Sequence, residues 1–133
     1  MNVLIVENEQ PAADKIIRLL KKIDKSIAVL DVIETVEEAI NRLQENPQPD
    51  LILMDMRMPE LSGIDALKML QEDDELKEVP VIFITAYKTD ENFADAFKNG
   101  AFDFITKPID INELRSRVNK ALSIGQTLTR IRS

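Results

Sequence analysis

The chain has 133 residues, a net charge of −7, 44% apolar and 31% charged residues, and neither cysteine nor histidine. That length suits one domain with a real core, and no apolar stretch approaches the roughly 20 residues that cross a bilayer as a helix. The missing Cys and His exclude disulfides, thiol nucleophiles, zinc sites of the usual type and imidazole acid–base chemistry. Carboxylates, hydroxyls, amides, Lys and Arg remain, which suit hard divalent cations. The acidic balance argues against direct nucleic-acid binding by this domain.

In chain order, Met1-Asn2 leads straight into an apolar run, Val3-Leu4-Ile5-Val6, which predicts a first strand and no signal peptide. The strand ends in Glu7-Asn8-Glu9. A helix follows from about Pro11, with Ile16, Leu19, Leu20 and Ile23 at helical spacing on its buried stripe. Ile27 to Ile33 reads as a second strand. Thr35 then caps a helix, with Glu38 completing a capping box and Val36, Ala39, Ile40 and Leu43 on the apolar face. Asn46-Pro47-Gln48-Pro49 stops it.

Asp50 to Met54 is the third strand. Its unbroken run Leu51-Ile52-Leu53-Met54 fits a strand covered on both faces. Asp55 closes the run, and the chain turns at Met58-Pro59. Past Ser62-Gly63 a helix turns Leu67 and Leu70 inward. Pro80 to Thr85 is the fourth strand, running into Thr85-Ala86. A short helix over about 90–98 carries Phe93 and Phe97 and terminates at Asn99-Gly100. Ala101 to Ile105 is the fifth strand, followed by Thr106-Lys107-Pro108. A last helix starts near Asp110, with Ile111, Leu114, Val118, Ala121 and Leu122 on one side.

Five strand–helix units predict an α/β fold: a doubly wound parallel sheet in a three-layer α/β/α sandwich. Strand order does not follow from periodicity. Open sheets of this kind bind ligands at the carboxyl ends of their strands. There the chain places carboxylates, a hydroxyl and an ammonium together, a constellation suited to phosphoryl groups and divalent metal. Taken singly, each residue also has a plain reading. Asp55 can simply begin a loop, Glu7-Asn8-Glu9 can be a solvated helix start favoured by the helix dipole, and Thr85 and Lys107 can be ordinary strand-end residues.

Ile5-Val6-Glu7-Asn8-Glu9, Leu53-Met54-Asp55-Met56-Arg57-Met58-Pro59, Gly63, Thr85-Ala86 and Lys107-Pro108 occur in order, four of the five at strand ends. Over residues 1 to about 124 the chain thereby resembles the receiver domain of two-component response regulators. The first half is most similar to receivers joined to LytTR-type DNA-binding domains. The second half is more similar to those of hybrid kinases and of regulators with enzymatic outputs.

The resemblance implies a flavodoxin-like five-stranded sheet of order 2-1-3-4-5. It implies that Asp55 is the phosphoacceptor for a sensor histidine kinase or phosphotransfer protein, and that Mg²⁺ is held by Glu7, Asn8, Asp55 and the backbone carbonyl of Arg57. Position 8 departs from the family, which normally has an acid there. The resemblance further implies that Thr85 and Lys107 contact the phosphoryl group, that Lys107-Pro108 is a cis peptide, and that Phe104 is the aromatic switch, for which plain core packing is the alternative. It implies a cytoplasmic phosphorylation switch rather than a conventional enzyme, with a homodimer through the last two strand–helix units as one contact it could control.

Residues 125–133 are expected to form a linker or a helix extension toward a C-terminal output domain. Leading into and through this segment, Ala121, Ile124, Leu128 and Ile131 follow the start of a heptad pattern.

Three other functions compete. A receiver that signals by contact without phosphorylation is supported by Asn8. An Asp-nucleophile phosphatase of the haloacid-dehalogenase type needs a second Asp two residues after the nucleophile, where Arg57 stands. A flavodoxin needs a neutral Gly/Ser/Thr-rich loop after the first strand, and Glu7-Asn8-Glu9 would repel its phosphate.

Overall fold

The computed structural model describes the backbone of residues 1–45, 47–56, 63–74, 76–86 and 92–132, and their side chains except 63, 64, 92, 93, 95 and 124–132. Strands β1 (Asn2–Val6), β2 (Ala28–Ile33), β3 (Leu51–Asp55), β4 (Val81–Thr85) and β5 (Asp103–Thr106) alternate with helices. These are α1 (Gln10–Ile23), α2 (Val36–Leu43), α3 (Gly63–Gln71), α4 (Asn92–Lys98) and α5 (Ile111–Arg132). The strands form one parallel sheet in the order β2-β1-β3-β4-β5. This is the doubly wound, flavodoxin-like sandwich that the alternation and the resemblance predict.

The unbroken apolar runs are explained by cover on both faces. Val3, Ile5, Leu51, Leu53, Ile82, Ile84 and Ile105 point to one face, under Ile16 and Leu20 of α1 and Leu114, Val118 and Ala121 of α5. Leu4, Val6, Ile52, Met54, Phe83 and Phe104 point to the other, under α2, α3 and α4. Each buried Leu, Ile or Phe contributes on the order of 1.5–3 kcal/mol, so the central strands form the most strongly held part of the molecule.

The edge strand β2 is half exposed, and its register against β1 slips between Val3 and Leu4, leaving Leu30 as an extra residue. Ile33 accepts the Glu7 N–H at 2.9 Å and so faces β1. The neighbouring Val32 N–H therefore points off the sheet, where Asp31 Oδ1 accepts it at 2.9 Å.

Local chemistry sets the helix ends. Thr35, extended at φ −133°, accepts the Glu38 N–H on its hydroxyl at 3.1 Å. Thr35→Ala should therefore cost about 1 kcal/mol, read as a lower urea midpoint with an unchanged slope. A midpoint equal to wild type would show that the cap is dispensable. Helix α4 closes with the Ala101 N–H on Ala96 O and the Gly100 N–H on Phe97 O, a Schellman arrangement. Gly100 sits at φ +104°, and a Cβ there would lie 2.8 Å from the Gln71 amide.

The strand boundaries differ from the sequence reading by one or two residues. Strand β5 begins at Asp103 rather than Ala101, because Ala101 is engaged in closing α4. Helix α4 is described from Asn92, residues 87–91 lying outside the described set, and α5 runs as helix through Arg132, the second of the two forms expected for the terminal segment. The side chains of Phe93, Ile124, Leu128 and Ile131, and residues 57–62, lie outside the described set.

Candidate functional site

Because β1 lies between β2 and β3, the chain leaves the sheet in opposite directions on either side of the β1–β3 pair. That switch point opens a crevice at the carboxyl ends of the strands. Glu7 follows β1 there and Asp55 ends β3. On the next strand, Asp55 is paired with Ile84, so Thr85 stands one residue beyond it at the same edge. Thr85 is 2% exposed, and its carbonyl accepts the Lys107 N–H at 2.7 Å, fixing the start of the segment after β5. The Lys107–Pro108 peptide is cis, as the resemblance implies.

Lys107 Nζ lies 3.4 Å from Asp55 Oδ2 and 3.8 Å from Glu7 Oε2. The sheet thus brings Glu7, Asp55 and Lys107, separated widely in sequence, into one charged cluster. Asn8 is exposed beside it. The backbone carbonyl of Arg57 lies outside the described residues. Phe104 is in the core rather than in the crevice, with its ring between Phe83 (centroids 5.7 Å apart) and Phe97 (4.8 Å, edge-on).

Glu7 is not a solvated helix start. Its side chain is 1% exposed, Oε1 accepts the Glu9 N–H at 3.2 Å, and Oε2 is buried without a hydrogen bond. Burial first, then the charge and hydrogen bonding of Asp55, push the Glu7 carboxyl up to about 7, against an opposing pull from Lys107 and the Glu9 amide. Two carboxylates held together with one oxygen unsatisfied are electrostatically short of positive charge.

The available donors are all oxygens: two carboxylates, the Asn8 amide, backbone and water. They fit a hard divalent cation. Among the described residues no set of three Asp, Glu, His or Cys side chains converges, so such an ion would depend on Asn8, backbone and water for the rest of its shell.

The sequence reading missed the pair Asp103–Arg117, which joins β5 to α5 at 3.2 Å. Its one sequence signal is an acid inside an apolar strand, Phe102-Asp103-Phe104-Ile105, which marks an edge strand.

The family model of the response regulator receiver domain matches residues 3–119. Regulatory protein AtoC of Escherichia coli K12 is 43% identical over 84 residues, covering 63% of this chain and 18% of AtoC. The phosphate regulon transcriptional regulatory protein PhoB of the same strain is 32% identical over 120 residues, 90% of this chain and 51% of PhoB. The chain therefore spans about half the length of PhoB and less than a fifth of AtoC. Among solved structures, a response regulator receiver domain protein from Clostridium thermocellum superposes with a TM-score of 0.85 at 27% identity, covering 96% of this chain and 98% of that one. The receiver domain of a signal transduction histidine kinase from Syntrophus aciditrophicus gives 0.80 at 30% identity, covering 92% and 89%. The match over nearly the whole fold, with an acid ending β3 in the switch-point crevice, establishes that this chain belongs to the receiver domain family of two-component response regulators.

Proposed function

We propose that Asp55 is the phosphoacceptor of a phosphorylation-controlled switch. The carrying observation is the Asp55 carboxylate at the switch-point edge with Lys107 Nζ 3.4 Å away and buried Glu7 beside it. An Asp55 oxygen attacks the phosphorus of a phosphohistidine on a sensor kinase or phosphotransfer protein. The P–N bond breaks, its electron pair returns to the imidazole nitrogen, and an acyl phosphate forms on Asp55. Such transfer needs positioning and charge neutralisation more than proton transfer.

Glu7, Asn8 and Asp55, with the backbone carbonyl of Arg57, are the residues that would hold Mg²⁺. When bound, the ion supplies positive charge that offsets the negative charge of the phosphoryl oxygens. Lys107 exchanges its contact with Asp55 for one with the phosphoryl group, and the Thr85 hydroxyl donates to the same group. Movement at Thr85 then permits the Phe104 ring to repack, which alters contacts made by the last two strand–helix units, including those of a homodimer.

In this reading the domain is cytoplasmic, forms residues 1–124 of a longer regulator, and continues through 125–133 to an output domain. No helix among the described residues is long and apolar enough to cross a membrane. The test is intact mass spectrometry with phosphoramidate and Mg²⁺, which should show one added phosphoryl group that is lost only by slow self-dephosphorylation. Rapid multiple turnover of phosphate monoesters would replace the switch with a hydrolase.

Asn8 tunes the site. Its amide oxygen can ligate Mg²⁺, but one formal charge fewer surrounds the ion than in receivers with an acid there. Asn8→Asp should bind Mg²⁺ about tenfold more tightly, measured by NMR titration. Equal affinities would contradict this role. Absence of binding in the wild-type chain at high millimolar Mg²⁺ would favour the contact-only receiver instead.

A further inference from the structure

At the free edge of β5 a side chain holds the backbone. Lys107 donates its N–H to Thr85 O, which turns Lys107 toward β4. Alternation along the strand turns Ile105 and Asp103 the same way and the Phe104 N–H outward, beyond the last strand of the sheet. Asp103 Oδ1 accepts that N–H at 2.8 Å. Its other oxygen, Oδ2, accepts from Arg117 Nη1 of α5 at 3.2 Å.

The arrangement is part-buried: the Asp103 side chain is 13% exposed and that of Arg117 38%, while Arg117 Nε is buried with no hydrogen-bond partner. Asp103 is therefore the group that orients this guanidinium. A charge-assisted bond is stronger than a neutral one, and burial of the Asp103 end limits the loss to solvent that the Arg117 end allows. The opposite edge of the sheet supplies an internal comparison. Asp31 holds the Val32 N–H in the same manner, yet among the described residues no cation pairs with Asp31. The carboxylate–amide contact alone is an edge feature. Among the described residues, the link to a helix occurs at Phe104.

We infer that Asp103 is a positioning residue for Phe104, tying the Phe104 backbone through Arg117 to α5. When the ring repacks between Phe83 and Phe97, the accompanying displacement of the Phe104 backbone is passed through Asp103 and Arg117 to α5. The inference rests on the proposed switching role of Phe104 and names the part that transmits it.

Amide hydrogen exchange followed by NMR tests the tie without any phosphorylation. Asp103→Ala should speed exchange of the Phe104 amide about tenfold, the size expected for one lost hydrogen bond. Asp103→Asn, which keeps an acceptor, and Arg117→Met, which keeps the carboxylate, should stay within about threefold of wild type. The Ile84 amide, in the sheet interior, should be unchanged in all three variants and so reports any general loss of stability.

With phosphoramidate and Mg²⁺, Arg117→Met should be phosphorylated to the wild-type extent by mass. Its phosphorylation-linked shifts at the Leu114 and Val118 amides of α5 should nevertheless fall by about half or more. An unchanged Phe104 exchange rate in Asp103→Ala, or full α5 shifts in Arg117→Met, overturns the inference. A wild-type chain that accepts no phosphoryl group would refute the role of Asp55, while the exchange experiment still decides the tie.

Discussion

Asp55→Asn is expected to take up no phosphoryl group from phosphoramidate and Mg²⁺, where the wild-type chain takes up one that hydroxylamine or base removes. An amide oxygen is a poor nucleophile, and no other acid among the described residues shares its position. Asp50 lies at the opposite end of the same strand, where its carboxylate accepts the Asn2 N–H at 2.7 Å. Glu7 is buried and holds its proton up to about pH 7. The substitution also removes one of two neighbouring carboxylates, so the variant should fold at least as well as wild type. Loss of phosphorylation would then report chemistry rather than unfolding. A persistent single phosphoryl group in Asp55→Asn would move the acceptor elsewhere.

Glu7→Gln should raise the stability of the metal-free protein at pH 8, by at most about 3 kcal/mol, the bound set by raising a carboxyl from its ordinary 4.5 to about 7. The unfolded chain gives up the Glu7 proton near pH 4.5, but the folded chain keeps it until about pH 7. In that window folding takes up a proton, so rising pH works against the folded state, and the cost is complete above pH 7. The Glu7→Gln variant has no such proton to lose. Its urea midpoint in the presence of a chelator should exceed that of wild type at pH 8 and converge with it toward pH 4.5. Saturating Mg²⁺ should narrow or reverse the difference by binding the wild-type site better. Identical midpoints at pH 8 without metal would show that the carboxylate is not strained.

The strands were legible because their apolar runs do not alternate. Leu51 to Met54 and Val81 to Ile84 demand cover on both faces, which only a sandwiched parallel sheet provides. Strand order was legible only through family resemblance, since pairing of β1 with β3 rather than β5 is a long-range choice that leaves no local pattern. The start of β5 was misread because Ala101 looks like a strand residue, although its amide is already committed to the end of α4. At the site, Asp55, Glu7 and Lys107 announced themselves as polar residues at strand ends. The depth of Glu7 did not. The buried Oε2 depends on the chain segments that meet over it, and nothing local distinguishes it from an acid at a helix start. Asp103 and Arg117 were invisible as a pair, because neither residue type nor spacing joins a strand to the helix that follows it.

An open sheet ends in two rows of backbone groups, and any extended polypeptide that meets one can add itself as another strand and offer a fresh row to the next. Asp31 interrupts this at β2. Its carboxylate already occupies the outward Val32 N–H, its charge would have to be stripped of water by an incoming strand, and the extra residue Leu30 spoils the spacing that a regular partner needs. The β2 edge is thereby a poor template for an added strand, which leaves association to other surfaces.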